Sequence, residues 1–348
     1  MSVETTVGPV STKELGFTSM HEHIACAFGT GMRENYMWPK YEEGREQAIV
    51  EATRKMTAAR EAGVGTIVDL TTVDMGRDAG FIAEVSQRSG VGIVVATGVF
   101  ACLPPNGTLT LMAKGLDACV DLFTRDIEVG IADSGLKAGV LKCAMQAPLI
   151  IDTDGLARGD GQDRESMGGN EILTFDELPK LMWGEFGMRA AARTHLRTGA
   201  CICVHTSTTH KTGIMALDIL EEEGVNLSRA SLHHVGDTRD YDYLYAMLER
   251  SNVNMDPHRG PWQIDVIARL CAEGYADRIT LAIDSVATGD FDAIDQLEGE
   301  LREQYEEEWS VAYLPATVVP QLRAAGVPDA DITAMTVTNP ARLLEPAL

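Results

Sequence analysis

Eight short runs rich in β-branched and apolar residues recur along the chain, and stretches with helical spacing separate them. The runs are Phe17 to His21, Gly65 to Thr71, Gly92 to Thr97, Ala138 to Ala144, Ala200 to His205, Ala230 to His234, Val253 to Asp256 and Ile279 to Asp284. Helical patterns cover Glu43 to Ala62, Asp78 to Gln87, Thr110 to Asp126, Asp176 to Arg197, Lys211 to Glu223, Tyr241 to Glu249 and Gln263 to Ala272. Strands alternating with helices specify a parallel sheet. Eight such units in one chain specify an α/β fold of the closed (β/α)8 TIM-barrel type. The competing fold is an open doubly wound sheet, but its usual Gly-x-Gly-x-x-Gly turn does not follow the first strand. The segment ahead of Phe17 reads as a short N-terminal hairpin capping the barrel floor. Residues 1–348 are read as a single barrel domain.

One interval is too long for this repeat. Lys142 and His205 lie 63 positions apart, whereas a strand–helix–strand step needs about 30 residues. An insertion of roughly 147–175 after strand four is therefore expected. It contains Asp152-Thr153-Asp154-Gly155 and Arg158-Gly159-Asp160-Gly161-Gln162-Asp163, which are polar, glycine-rich and loop-like. Loops after strands lie on the catalytic face of such barrels. The segment is read as a lid or pocket wall, with a solvated excursion or a subunit contact as the alternatives.

The balance of 29 basic and 52 acidic residues gives a net charge of −23. No basic patch able to neutralise phosphates is evident, so nucleic acid is excluded as a partner. The field favours a small neutral substrate over an anionic one. Seven cysteines, an odd number without a Cys-x-x-Cys pair, fit a reduced, cytoplasmic compartment. Cys201 and Cys203 alternate within an apolar run and read as small buried hydrophobes. The start, Met1-Ser2-Val3-Glu4-Thr5-Thr6, lacks the pattern of a signal peptide. No run of about 18 apolar residues is available to span a membrane. A homodimer is the expected assembly.

Polar residues gather at the C-terminal ends of the strands. His21 and His23 close strand one, Lys142 lies near the end of strand four, and His205 closes strand five. His233 and His234 close strand six, and Asp284 closes strand eight. Five of the chain's eight histidines are in this set, so chance is a poor account. In an extended strand, residues i and i+2 share a face, so His21 and His23 project together. Paired imidazoles with a carboxylate are a metal-ligand pattern. Lys142, in Val140-Leu141-Lys142-Cys143-Ala144, is costly to bury charged. Its pKa should fall, and a neutral amine can combine with carbon dioxide to form an anionic carbamate. A lysine whose ammonium reaches outward or pairs with a carboxylate is the alternative.

With these residues in place, the chain resembles the phosphotriesterase family, and within it the phosphotriesterase-like lactonases, of the amidohydrolase superfamily. The matching segments are Gly16-Phe17-Thr18-Ser19-Met20-His21-Glu22-His23, Thr72-Val73-Asp74-Met75-Gly76-Arg77-Asp78 and Ala96-Thr97-Gly98. They continue through Leu141-Lys142, Val204-His205-Thr206, His234-Val235-Gly236-Asp237-Thr238 and Thr336-Val337-Thr338-Asn339-Pro340-Ala341-Arg342. The resemblance runs nearly end to end, interrupted by the extra segment after Lys142. It implies two divalent metal ions, zinc first, with manganese, cobalt or iron as alternatives. His21, His23 and Asp284 would hold the more buried ion and His205 and His234 the other. Carbamylated Lys142 and a hydroxide would bridge them.

The resemblance selects His234 over His233 as ligand, because it occupies the family's histidine position ahead of Gly236-Asp237-Thr238. Neighbouring strand residues also face opposite ways, so His233 is expected to pack or to brace a ligand, and Glu22 to point away from the metal. Two divalent ions against carbamate, carboxylate and hydroxide leave about +1 at the site, which draws in a substrate oxygen. Asp284 and Lys142 are thus the implied catalytic residues, Asp284 accepting the proton released by water. Asp237 would support the centre from behind.

The chain departs from the family where substrate would sit. Lactonase members carry arginine and tyrosine after the strand-seven aspartate, whereas this segment reads Met255-Asp256-Pro257-His258-Arg259-Gly260. Pro257 interrupts a relay from Asp284 through that position to Asp237. His258 or Arg259 is expected to line the pocket in its place, or else to face solvent. Phe100 stands where lactonases have tyrosine, so it can line a pocket but donates no hydrogen bond. The expected activity is hydrolysis by a metal-bridging hydroxide of lactones or other carboxylic esters, with phosphotriester hydrolysis as a side activity. An amidohydrolase acting on an N-acylated amine, and a non-catalytic binding protein on an inherited barrel, are the two alternatives.

Overall fold

The computed structural model describes residues 1–26, 41–100, 113–145, 150–151, 157–158, 183–258, 260–288 and 299–347. Strands β1 (Ser2–Thr5) and β2 (Gly8–Ser11) pair antiparallel, with Val3 opposite Val10. The hairpin is docked by its turn: the Thr6 amide donates to Ile93 O at 2.8 Å, and the Ile93 amide donates to Thr6 Oγ1 at 3.2 Å. Ile93 stands at the start of its barrel strand, so the hairpin covers the barrel floor as expected.

The barrel strands are β3 (Phe17–Glu22), β4 (Val64–Asp69), β5 (Gly92–Gly98), β6 (Val140–Met145), β9 (Ile202–Thr206), β10 (Ala230–His233), β11 (Asn252–Met255) and β12 (Ile279–Leu281). Neighbours pair parallel in that order. The last strand returns to the first through the amides of Asp284, bonding His21 O at 3.0 Å, and of His23, bonding Ser285 O at 2.8 Å. Eight parallel strands with helices between them thus form a nearly closed TIM barrel. Two further short strands, β7 (Ile150–Ile151) and β8 (Ala157–Arg158), pair antiparallel within the expected insertion. The rest of that insertion, and Arg259, lie outside the described residues.

Period-two alternation sorts the strand side chains. On β6, Leu141 and Cys143 face outward into a cluster with Phe123, Met188 and Val204. Val140 and Lys142 consequently face the barrel interior, where Val140 packs with Met20, Val68, Val94, Cys201 and Cys203. On β9 and at the residue before it, the same rule sends Cys201, Cys203 and His205 inward, and Ile202 and Val204 outward. The helices follow ordinary capping rules. The Asp78 carboxylate accepts the Phe81 amide at 3.0 Å at the start of the helix Ala79–Ser89, and Gly90 closes it in the left-handed conformation. No described helix is long and apolar enough to cross a membrane.

The strand ends differ from the sequence reading by one to three residues, and two of them bear on the site. Ala230 to His234 ends at His233, and Ile279 to Asp284 ends at Leu281. His234 and Asp284 lie just beyond, with φ of 66° and 60°. A left-handed residue cannot continue an extended strand, so propensity alone overran the boundary.

Candidate metal centre

The two left-handed residues are what assemble the site. On β10, Ala230 and Leu232 face outward into the helical layer. Strict alternation therefore aims His233 inward and would aim His234 away. The left-handed turn at His234 reverses that, so both imidazoles lie against the His21 ring, at centroid separations of 4.6 and 5.1 Å. The expectation that only one of the pair could point into the barrel is thus corrected. Asp284 makes the equivalent turn after β12. Non-glycine residues in this region cost about 1 kcal/mol or more each and cluster at functional sites.

Five of the six expected ligands converge directly. His21 Nε2 lies 3.3 Å from Lys142 Nζ and 3.3 Å from Asp284 Oδ1. His23 Nε2 lies 3.4 Å from the same carboxylate oxygen, and His234 Nε2 lies 3.7 Å from Asp284 Oδ2. Ligand atoms of His21, His234 and Asp284 fall within 4.8 Å of one another, a grouping that could hold a metal ion. His205, half-buried at the end of β9, joins through its ring, 4.3 Å from that of His234. Lys142 is fully buried, and burial pushes its amine below the ordinary lysine value, with Asp284 pulling the other way. Burial, and then the neighbouring Lys142, hold His21 well below its ordinary value, so it presents a lone pair to the site. Neutral imidazole nitrogens and a carboxylate around one point are a donor set that a divalent cation satisfies.

Residues behind the ligands hold them in place. His23 Nδ1 lies 2.9 Å from Thr71 Oγ1, and the Thr71 and Ile24 amides donate to the two Asp69 carboxylate oxygens. His234 Nδ1 lies 3.0 Å from Asp256 Oδ2, while Asn254 Nδ2 donates to Asp256 Oδ1 at 2.8 Å. A carboxylate behind a ligating imidazole fixes its tautomer and raises its basicity. Gly98 allows β5 to approach Lys142: a Cβ there would meet the Lys142 carbonyl oxygen at 1.9 Å.

Glu22 does point away from the cluster, and it has a use there. Its carboxylate accepts the Ser19 hydroxyl at 2.5 Å, the Ile283 amide at 2.9 Å, the Ser285 amide at 2.7 Å and the Ser285 hydroxyl at 2.6 Å. It therefore grips the backbone on both sides of Asp284. Burial pushes this carboxyl up to about 8, against the opposing pull of those donors. Sequence reasoning found neither this grip nor the Thr71 and Asp256 contacts. A strand-end aspartate in Met255-Asp256 was the one available signal.

The outer residues distribute less simply. The Phe100 amide donates to both Asp74 carboxylate oxygens, at 2.9 and 3.0 Å, and the Phe100 ring meets His205 edge-on at 5.0 Å. His258 is buried rather than solvent-facing, its ring 4.6 Å from Trp309. Beside it is a cavity of about 500 Å³ lined by Pro257, His258, Glu308, Trp309 and Tyr313 among others. Asp237 accepts Gln263 Nε2 at 3.2 Å.

Comparison with known proteins agrees with this architecture. The family model described as phosphotriesterase family matches residues 1–157 and 179–344. The unmatched stretch falls between Lys142 and His205. A phosphotriesterase homology protein of Mycobacterium tuberculosis is 33% identical, the alignment covering 99% of this chain and 97% of the relative. The aryldialkylphosphatase of Saccharolobus solfataricus is 27% identical over 95% of each chain. An N-acetyltaurine hydrolase of Dictyostelium discoideum is 22% identical over 98% of this chain and 97% of its own. The solved structure of the phosphotriesterase from Mycobacterium tuberculosis superposes with a TM-score of 0.78 at 31% identity, over 99% of both chains. Family match, shared barrel and converging ligands lead to one conclusion: this chain belongs to the phosphotriesterase family of metal-dependent hydrolases.

Proposed function

We propose that the protein hydrolyses lactones or other carboxylic esters at a centre of two divalent ions, with phosphotriesters as weaker substrates. The observation that carries the proposal is the convergence of His21, His23, Lys142, His234 and Asp284 on one point at the barrel mouth. His21, His23 and Asp284 would hold one ion, and His205 and His234 the other. Lys142 would serve both as a carbamate: its neutral amine attacks the carbon of carbon dioxide and releases one proton. The buried, depressed amine supports this, because a protonated lysine there would face ligand nitrogens. Bound ions of this kind acidify water and polarise a substrate oxygen.

The remaining chemistry belongs to the chain's own groups. Asp284 is partly exposed and spans the histidines, with Oδ1 on His21 and His23 and Oδ2 on His234. From there it accepts a proton at carboxylate oxygen and delivers it to the leaving group. The Glu22 grip on residues 283 and 285 holds it at that station. Phe100, against His205, gives the substrate an apolar wall without a hydrogen-bond donor. His258 lines the cavity beside Trp309, where it would meet substrate, and Arg259 follows it in sequence. Asp237, bonded to Gln263, braces the turn that follows His234. A small neutral substrate suits a chain of net charge −23.

The N-acetyltaurine hydrolase relatives support a second reading, cleavage of an N-acylated amine at the same centre. A substrate panel decides between them. Lactones, aryl esters, phosphotriesters and N-acyl amines would be assayed with zinc-, manganese-, cobalt- and iron-loaded protein. The highest kcat/KM is expected for a lactone or ester. Preference for an N-acyl amine would establish the second reading, and no turnover with any metal would overturn both.

A further inference from the structure

His233 is fully buried among the proposed ligands, and the sequence left open whether it packs or braces one of them. Alternation along β10 points it into the barrel, where His233 Nδ1 lies 3.0 Å from His21 Nδ1. The two rings meet edge to face, at 83°. His21 turns its other nitrogen, Nε2, toward Lys142 Nζ and Asp284 Oδ1, each 3.3 Å away. Nε2 is therefore the nitrogen that would face an ion held by these groups. A neutral imidazole that ligates through Nε2 carries its proton on Nδ1. The acceptor at hand for that proton is His233 Nδ1. His233 then carries its own proton on Nε2, an atom with no hydrogen-bond partner among the described residues.

Behind His234 and His23 stand different acceptors. His234 has the Asp256 carboxylate at 3.0 Å, and His23 has the Thr71 hydroxyl at 2.9 Å. Such outer partners orient a ligand and tune its basicity, and losing one costs about 10- to 100-fold in metal affinity.

We propose that His233 is a positioning residue of the metal centre: its Nδ1 accepts the His21 Nδ1–H, fixing the tautomer and ring angle that aim His21 Nε2 at the ion. This rests on the reading of His21 as a ligand. An imidazole in this position does by geometry what Asp256 does for His234, but without adding a negative charge beneath the buried ion.

The test is zinc titration of metal-stripped protein against a competing chelator, for wild type, His233→Asn and His233→Leu. Asparagine places a carboxamide oxygen close to where Nδ1 was, and leucine keeps the bulk without an acceptor. His233→Leu should bind one of two zinc ions about 10- to 100-fold more weakly, and His233→Asn should stay close to wild type. Equal affinity in all three, with wild type binding normally, would overturn the role of His233 alone. Wild-type protein that takes up no zinc would overturn the metal centre itself, and this role with it. Should His233→Leu fail to fold, ¹⁵N-histidine spectra of zinc-loaded wild type give the answer directly. A proton on His21 Nδ1 and on His233 Nε2 is expected, and a proton on His233 Nδ1 would overturn the assignment.

Discussion

Asp284→Asn is expected to lower kcat by about 10² to 10⁴ while leaving the fold intact, the range general acid–base catalysis ordinarily contributes. The substitution is nearly isosteric, and asparagine is among the residues that best tolerate the left-handed region. The φ of 60° at this position should therefore survive. The Glu22 grip uses backbone amides of residues 283 and 285, so it is untouched. A carboxamide oxygen can still face His21 and His23, so part of the metal should remain. What is lost is the carboxylate's ability to take up a proton. Steady-state kinetics with the best ester substrate, read beside metal content and thermal midpoint, check this. Unchanged turnover would remove Asp284 from proton transfer.

Lys142→Met is expected to weaken metal binding by more than about 100-fold, since losing even an outer partner of a ligand costs 10- to 100-fold. Activity should fall with it. Methionine keeps most of the volume of a fully buried side chain, so a cavity is not the cause. Lys142→Ala adds the complementary measurement. It opens space beside His21 Nε2, where a short carboxylic acid could replace the anionic bridge and restore part of the metal content and rate. The stability of metal-free Lys142→Met should be held or raised, because a desolvated amine has been removed from the interior without leaving a cavity. Full metal content and full activity in Lys142→Met would show that the lysine bridges nothing.

Much of this site is legible from period two alone. Lys142 and His205 sit on strands whose outward neighbours, Leu141, Cys143, Ile202 and Val204, are plainly apolar, so their inward aim follows from alternation. His21 and His23 follow similarly, although β3 shifts register against β4 between Ser19 and Glu22. His234 and Asp284 are a different matter. Both reach the centre by a left-handed turn beyond a strand end, which leaves no periodic trace in sequence. The strand map placed both at strand ends, but the choice of His234 over His233 came from the family pattern. Glu22 was legible as a residue facing away, but its partners at residues 283 and 285 lie more than 260 positions on. Contacts of that range depend on barrel closure. His258 shows the same limit: its burial against Trp309 depends on a loop and a helix meeting, which local sequence does not specify.

Bound metal is the most direct test of this centre. Purified protein, stripped and then reloaded, should take up two equivalents of divalent metal per chain and regain hydrolysis in proportion. Protein that binds no metal, or that hydrolyses its best substrate equally well when stripped, would contradict it.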